Sequence, residues 1–172
     1  MSDPVGILIV LQAVGALVGA VFAVAAEIAY MRALADGVIT NAERAHLKRL
    51  GQGLGFGLLL VLLASLGLVV EAYAMRATVQ PALSAGYWTL IALSFVILLA
   101  SWALARKRIS FALGSAAAFT AWWFLAYLSA GFLPQMSFGA AVAFYVVALA
   151  LFYGILHYAR FLFMPVPKPH MP

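Results

Sequence analysis

The stretch GQGLGFGLLLVLLASLGLVV, residues Gly51–Val70, is twenty residues long and contains no charged side chain. A helix needs about 20 mostly apolar residues to cross a hydrocarbon core roughly 30 Å thick. In lipid the backbone N–H and C=O groups find no water, so they must bond to each other within the segment. The stretch therefore predicts a membrane-spanning α-helix.

Four more apolar runs occupy nearly all of the remaining chain. The chain has 172 residues, of which 67% are hydrophobic and only 9% are charged, whereas a soluble domain carries about 25% charged residues. The weak ten-residue alternation of a transmembrane barrel is absent. We therefore expect an all-α polytopic membrane protein, one domain over residues 1–163 with a proline-rich cytoplasmic tail over 164–172. The five predicted spans are 4–34, 51–73, 82–105, 109–133 and 137–163.

Basic residues are distributed unevenly between the connections, and short loops rich in Lys and Arg remain cytoplasmic. With five spans, nine of the ten basic residues fall on one side, and the second connection has only Arg76. The nine are Arg32, Arg44, Lys48, Arg49, Arg106, Lys107, Arg108, Arg160 and Lys168. This bias predicts an external amino terminus and a cytoplasmic carboxyl terminus. The net charge of +5 then faces an anionic inner leaflet, where each nearby cation contributes about 1 kcal/mol. No basic face typical of nucleic-acid binding is present.

The first connection, ADGVITNAERAHLKRL, is compatible with two interpretations. An EF-hand calcium loop with its glycine at Gly37 would place Arg32 and Leu34 at the first two ligand positions, where oxygen ligands are needed. A helical hairpin turn fits better, with Gly37 ending one helix and Thr40 and Glu43 forming the capping box of the next. We therefore predict a cytoplasmic helical turn that leads into the second span.

Small residues predict how the spans pack, because close backbone approach is a main source of helix association in lipid. Two glycine pairs lie on nearly opposite faces of the second span, and the first span carries another. They are Gly51 with Gly55, Gly53 with Gly57, and Gly15 with Gly19. We expect the second span to lie between two neighbouring helices at its cytoplasmic end.

Trp122 and Trp123 lie near the middle of the fourth span. A buried indole N–H needs a hydrogen-bond acceptor, which Thr120 or a neighbouring helix could supply. Core packing is the predicted role of these rings. The alternative is a ring wall for a bound cofactor or lipid.

Ionisable residues within spans are functional candidates by default. At about 1.5 Å per residue, Glu27 lies roughly 33 Å along the first span and His157 about 29 Å along the fifth. Both therefore approach the cytoplasmic interface, and no charged side chain lies at the midplane. Residues spaced three or four apart share a helix face, which predicts an inner-leaflet polar pocket. Its expected residues are Glu27, Tyr30, Gln52, Tyr153, His157 and Arg160.

Three functional hypotheses follow from this pocket. The first is a non-catalytic membrane subunit or scaffold that holds a lipid, quinone or cofactor, with a membrane protein partner or a second copy of the chain covering its packing faces. The second is a small-solute carrier gated by Glu27 and His157. The third is a membrane redox protein with a single haem on His157, the one histidine within a span. A non-catalytic role is favoured over an enzyme, without deciding between them, because the sequence contains no hydrolytic motif. We assign no catalytic residue and no particular cofactor.

The run from Glu27 to Val70 resembles a stretch in bacterial inner-membrane proteins of unassigned function. The shared features are a helix that ends in a basic residue, a D-G-x-I turn, an acidic cap and a glycine-led helix with L-x-L near its end. The resemblance covers about a quarter of the chain and implies location in a bacterial inner membrane. Some similar proteins carry a histidine in the first span, which suggests haem, where this sequence has Gln12.

Overall fold

The computed structural model describes residues 4–36 and 41–163, except the side chains of 34–36, 43 and 44. The fold is all-helical, and no strand occurs in these two ranges. The helices are α1 (Pro4–Asp36), α2 (Asn41–Ala74), α3 (Ala85–Ala105), α4 (Phe111–Ser129) and α5 (Phe138–Phe163), with a 3₁₀ turn at Pro81–Leu83. All five are long and apolar enough to cross a membrane. The predicted class, an all-α membrane protein with five such helices, is confirmed.

Several helix ends differ from the ends of the predicted spans, because capping residues and a turn set where each helix begins or stops. α2 starts at Asn41, so the basic turn is continuous with the apolar span. The α3 cap is Ser84, whose Oγ accepts a hydrogen bond from the backbone N–H of Tyr87 at 3.2 Å. α4 ends at Ser129 because Gly131, at a φ of +74°, turns the chain. The predicted capping of α1 and α2 and the proline-rich tail lie outside the described residues.

α4 is the central helix of the bundle. It contacts α1, α3 and α5, and half of its most apolar 18-residue window is buried. In α5 the buried share is 11%, so this helix lies at the periphery. α2 packs mainly along α1. The core is therefore centred on α4, where Trp122 and Leu125 are almost fully buried.

Glycines allow the closest helix approaches in the structure. A Cβ added at Gly57 would lie 2.8 Å from the backbone oxygen of Gly15. One added at Gly53 would lie 2.6 Å from the Phe22 ring, and one at Gly19 would overlap the Trp122 ring. The predicted packing roles of Gly15, Gly19, Gly53 and Gly57 therefore correspond to direct contacts between α1, α2 and α4.

The other glycine face of α2 is open. No atom lies within 4 Å of a Cβ added at Gly51 or Gly55. The expectation that α2 lies between two neighbours at this end is therefore wrong within the described chain, because α2 has only α1 as an extensive partner.

Neither Thr120 nor a neighbouring helix supplies an acceptor for the Trp122 indole among the described residues. The Thr120 hydroxyl donates instead to the backbone oxygen of Ala116, at 2.7 Å. Trp122 Nε1 is buried without a hydrogen-bond partner among the described residues. Burial of the large ring against Gly19 therefore decides its position, which agrees with the expected role in core packing.

The Gly57→Ala substitution should destabilise the protein by about 1–3 kcal/mol, because the new methyl group meets backbone atoms that cannot rotate away. The matched Gly55→Ala variant should be unchanged or up to about 1 kcal/mol more stable, because alanine favours a helix and meets nothing there. Unfolding of both variants in one detergent measures the difference. Equal stabilities would contradict the assigned packing faces.

Candidate functional site

A buried arginine joins three helices near the end of α5. One terminal nitrogen of Arg160, Nη2, donates to Glu27 Oε2 at 2.6 Å and to Ser115 Oγ at 2.6 Å. Arg160 is 5% exposed and Glu27 is 6% exposed. These three residues, together with the rings of Tyr30 and Phe111, form what we call the Arg160 cluster. The cluster connects α1, α4 and α5.

The inward position of Glu27 follows from a stripe of small residues on α1. Ala16, Ala20, Ala23 and Glu27 are all buried and are spaced by four, three and four residues, which is one face of a helix. The alanines let the neighbouring helices approach closely. Glu27 continues the same face at the point where it meets Arg160.

Two aromatic rings cover the guanidinium. Its central carbon, Cζ, lies 5.6 Å from the centre of the Tyr30 ring and 5.3 Å from that of Phe111. The two ring centres are themselves 3.9 Å apart. Cation–π contacts reach about 2 kcal/mol when the cation is desolvated. The rings therefore offset part of the cost of removing Arg160 from water.

The hydrogen bonds of the cluster leave the buried Nε of Arg160 without a partner among the described residues. Ser115 accepts from Arg160 and its Oγ is 3.4 Å from the backbone oxygen of Ala112, to which it donates. Arg160 Nε is buried and has no hydrogen-bond partner among the described residues. A buried donor without an acceptor costs about 1–3 kcal/mol. The cluster can therefore gain stability from an added hydrogen-bond acceptor.

Of the six predicted pocket residues, the structure brings Glu27, Tyr30 and Arg160 together. Gln52 is exposed on α2. His157 is exposed as well and stacks on Tyr153, with ring centres 6.0 Å apart.

The geometry of α5 explains why His157 is not part of the cluster. Leu156 and Arg160 are buried and lie four residues apart on the inward face. His157 follows Leu156 by one residue, which rotates its side chain by about 100° around the helix axis. The histidine therefore lies outside the inward face, although it is close to Arg160 in the sequence.

The polar partners supplied by serine are apparent only in the structure. Ser115 was not singled out, nor was Ser65, whose Oγ accepts a hydrogen bond from Gln12 Nε2 at 3.1 Å. Both serines are isolated polar residues within apolar spans. Because serine and glutamine hydrogen-bond across helices in lipid, their occurrence at these positions was the available signal.

The Arg160 cluster is suited to holding helices together and to binding an acceptor. The ion pair is neutral as a whole, and arginine does not deprotonate in proteins. The pair therefore cannot pass a proton from one member to the other. Among residues 4–36 and 41–163, no group of three or more potential metal-ligating side chains comes together.

Comparison with protein family models, curated proteins and solved structures finds no match for this chain. The resemblance of residues 27–70 to bacterial inner-membrane proteins stays a prediction. Within that stretch, the structure gives Glu27 a buried partner and gives Gly53 and Gly57 contacts with α1.

Removing one member of the ion pair should destabilise the protein more than removing both. Glu27→Gln or Arg160→Met should each cost about 3–5 kcal/mol, because the other charge stays buried without its partner. The double variant should cost clearly less than the sum of the two single changes. Unfolding in detergent gives all three values.

The matched control is Arg106→Met, which removes an exposed arginine whose Cζ lies 5.2 Å from the centre of the Trp102 ring. Its stability should be close to that of the wild type. Additive effects of Glu27→Gln and Arg160→Met would show that the two residues are not energetically coupled.

Proposed function

We propose that this chain is a multi-pass protein of a bacterial inner membrane, where it acts as a non-catalytic membrane subunit or scaffold. Its pocket in the inner-leaflet half holds a lipid, quinone or cofactor at the Arg160 cluster. One observation carries the proposal: a single buried guanidinium bonds α1 and α4 to α5, and its buried Nε–H has no acceptor among the described residues.

The chemistry of the cluster favours a scaffold over a catalyst. Its charges are paired within the chain, and a guanidinium does not deprotonate in proteins. Buried polar partners in different helices fix those helices relative to one another. A rigid bundle with few mobile polar groups is what a membrane subunit needs to position a partner or a bound molecule.

The unpaired Arg160 Nε is buried, so an acceptor that satisfies it must enter between the helices. A carbonyl or ester oxygen of a lipid or quinone would satisfy this N–H, and the adjacent Tyr30 and Phe111 rings offer flat apolar surfaces. An arginine already neutralised by Glu27 favours an uncharged oxygen over a free anion. The ligand class that fits the site is therefore a membrane-soluble molecule with a carbonyl or ester group.

Two exposed surfaces support a partner subunit or a second copy of the chain. α5 is buried along only a small part of its length, and the Gly51 and Gly55 face of α2 is uncovered. Glycine-containing faces permit close approach between helices in lipid. No described residue of the chain covers these two helix faces.

The proposed orientation places the amino terminus outside and the carboxyl terminus in the cytoplasm. Because the chain contains no cysteine, single cysteines can report the side of each connection. A membrane-impermeant maleimide should label Thr78→Cys in intact spheroplasts and should label Lys107→Cys only after permeabilisation. The reverse labelling pattern would overturn the orientation and move the Arg160 cluster to the outer leaflet.

Native mass spectrometry of the protein released gently from its own membrane tests the function. The wild type should carry the mass of a lipid, quinone, cofactor or unrelated subunit. The Glu27→Gln/Arg160→Met double variant, which lacks the free donor but leaves no buried charge unpaired, should lose a ligand held at the cluster. A bare wild-type monomer would contradict the proposal, and flux measurements in proteoliposomes would then test the carrier hypothesis.

A further inference from the structure

A cavity lies between α4 and α5, away from the Arg160 cluster. Its volume is about 510 Å³, within the range of about 300–1,000 Å³ that is typical of ligand sites. Six of its lining residues are aromatic: Phe119, Trp123, Phe124, Tyr127, Phe144 and Phe152. We call this cavity the aromatic groove. It includes Trp123, for which the sequence suggested a ring wall as the alternative role.

The walls of the groove are braced by contacts between the rings. Phe119 meets Phe152 edge to face, with centres 5.3 Å apart, and Phe124 meets Phe144 in the same way at 5.5 Å. Because these contacts join α4 to α5, the rings are fixed by the helix pair. Phe144 and Tyr127 are about half exposed, so the groove opens on the surface that faces the acyl chains.

A second cavity of about 500 Å³ adjoins the groove, with Phe124 and Leu133 lining both. We call this second cavity the vestibule. It lies at the end of the bundle that carries the α2–α3 and α4–α5 connections. Its polar side chains are Ser84, Thr89 and Gln135, and none of the residues that line it is charged. A ligand can therefore place its chain in the groove and its polar group in the vestibule.

The hydrogen-bond donors of the vestibule are mostly used within the protein. Ser84 donates to the backbone oxygen of Pro81 at 2.7 Å, and Thr89 donates to that of Ala85 at 2.9 Å. The Gln135 side chain is exposed, and no hydrogen bond to it occurs among the described residues. Its amide group is thus the available donor, which suits a carbonyl oxygen.

We propose that the aromatic groove and its vestibule bind an isoprenoid quinone. A phospholipid headgroup would bring a phosphate to a vestibule without a cation, whereas a quinone brings an uncharged ring with carbonyl acceptors. Flat conjugated rings pack well against aromatic side chains, and Phe124, which lines both cavities, offers the quinone ring such a contact. The branched isoprenoid chain fills the apolar groove. This site is independent of the ligand at the Arg160 cluster, because it lies on the α4–α5 surface toward the opposite end of α4.

Tryptophan fluorescence of the full chain in phosphatidylcholine nanodiscs tests the proposal, with ubiquinone-2 as the probe. Trp123 lies in the groove, so ubiquinone-2 should quench its emission saturably. The Trp123→Phe variant should lose this component. Quenching that rises linearly with the quinone concentration, as for free partition into the bilayer, would overturn the proposal.

Two substitutions on α5 locate the site. Ala148→Leu adds a side chain inside the groove, whereas Ala150→Leu places the same side chain on an exposed position outside its lining. Saturable quenching should disappear in Ala148→Leu and persist in Ala150→Leu. Identical titrations of the two variants would exclude the groove as the binding site.

Gln135→Leu and a brominated lipid identify the occupant. Loss of the amide donor should weaken ubiquinone-2 binding by about tenfold. Brominated and unbrominated phosphatidylcholine nanodiscs should give the same Trp123 emission once ubiquinone-2 saturates the groove, because the quinone then excludes the lipid chain. Unchanged affinity in Gln135→Leu, or brominated lipid that ubiquinone-2 cannot displace, would mean that the groove holds an ordinary acyl chain and would overturn the quinone assignment.

Discussion

A guanidinium buried in an apolar bundle must have its charge compensated inside the protein, and this constraint determines how α1, α4 and α5 meet. Arg160 satisfies it with Glu27, Ser115 and two aromatic rings. Each partner comes from a position that must face the same point. The cluster therefore limits how far any of the three helices can rotate or slide. One residue fixes the carboxyl-terminal end of α5, a peripheral helix that buries little surface.

The rest of the bundle uses a different means of association. α1 and α2 approach through Gly15 and Gly57, and Trp122 of α4 lies against Gly19. An apolar side chain gains little free energy when it moves from lipid to a helix interface, because both are apolar. Helix association in lipid therefore depends on close packing and on hydrogen bonds. The bond between Gln12 and Ser65 adds a polar contact to the α1–α2 pair. Small residues and isolated polar residues thus both determine which helices pack together.

This packing creates two chemically different sites. The Arg160 cluster is polar, buried and neutral as a whole, and its Nε–H has no acceptor among the described residues. The aromatic groove is apolar, half open and continuous with an uncharged vestibule. A protein that both fixes helices and presents such surfaces is well suited to holding a membrane-soluble molecule beside a partner. The proposed subunit or scaffold role uses both sites and requires no catalytic groups.

The sequence by itself determined the class of the protein, the number of long apolar helices and the pairing potential of Gly53 and Gly57, because length, hydropathy and small-residue spacing are local properties. It also selected Glu27, Tyr30 and Arg160. Only the tertiary structure decided that Arg160 turns inward while His157 and Gln52 stay exposed, and that Ser115 completes the cluster. The physical reason is that these helices are apolar on all sides, so hydrophobic periodicity does not distinguish the face that meets a neighbour from the face that meets lipid.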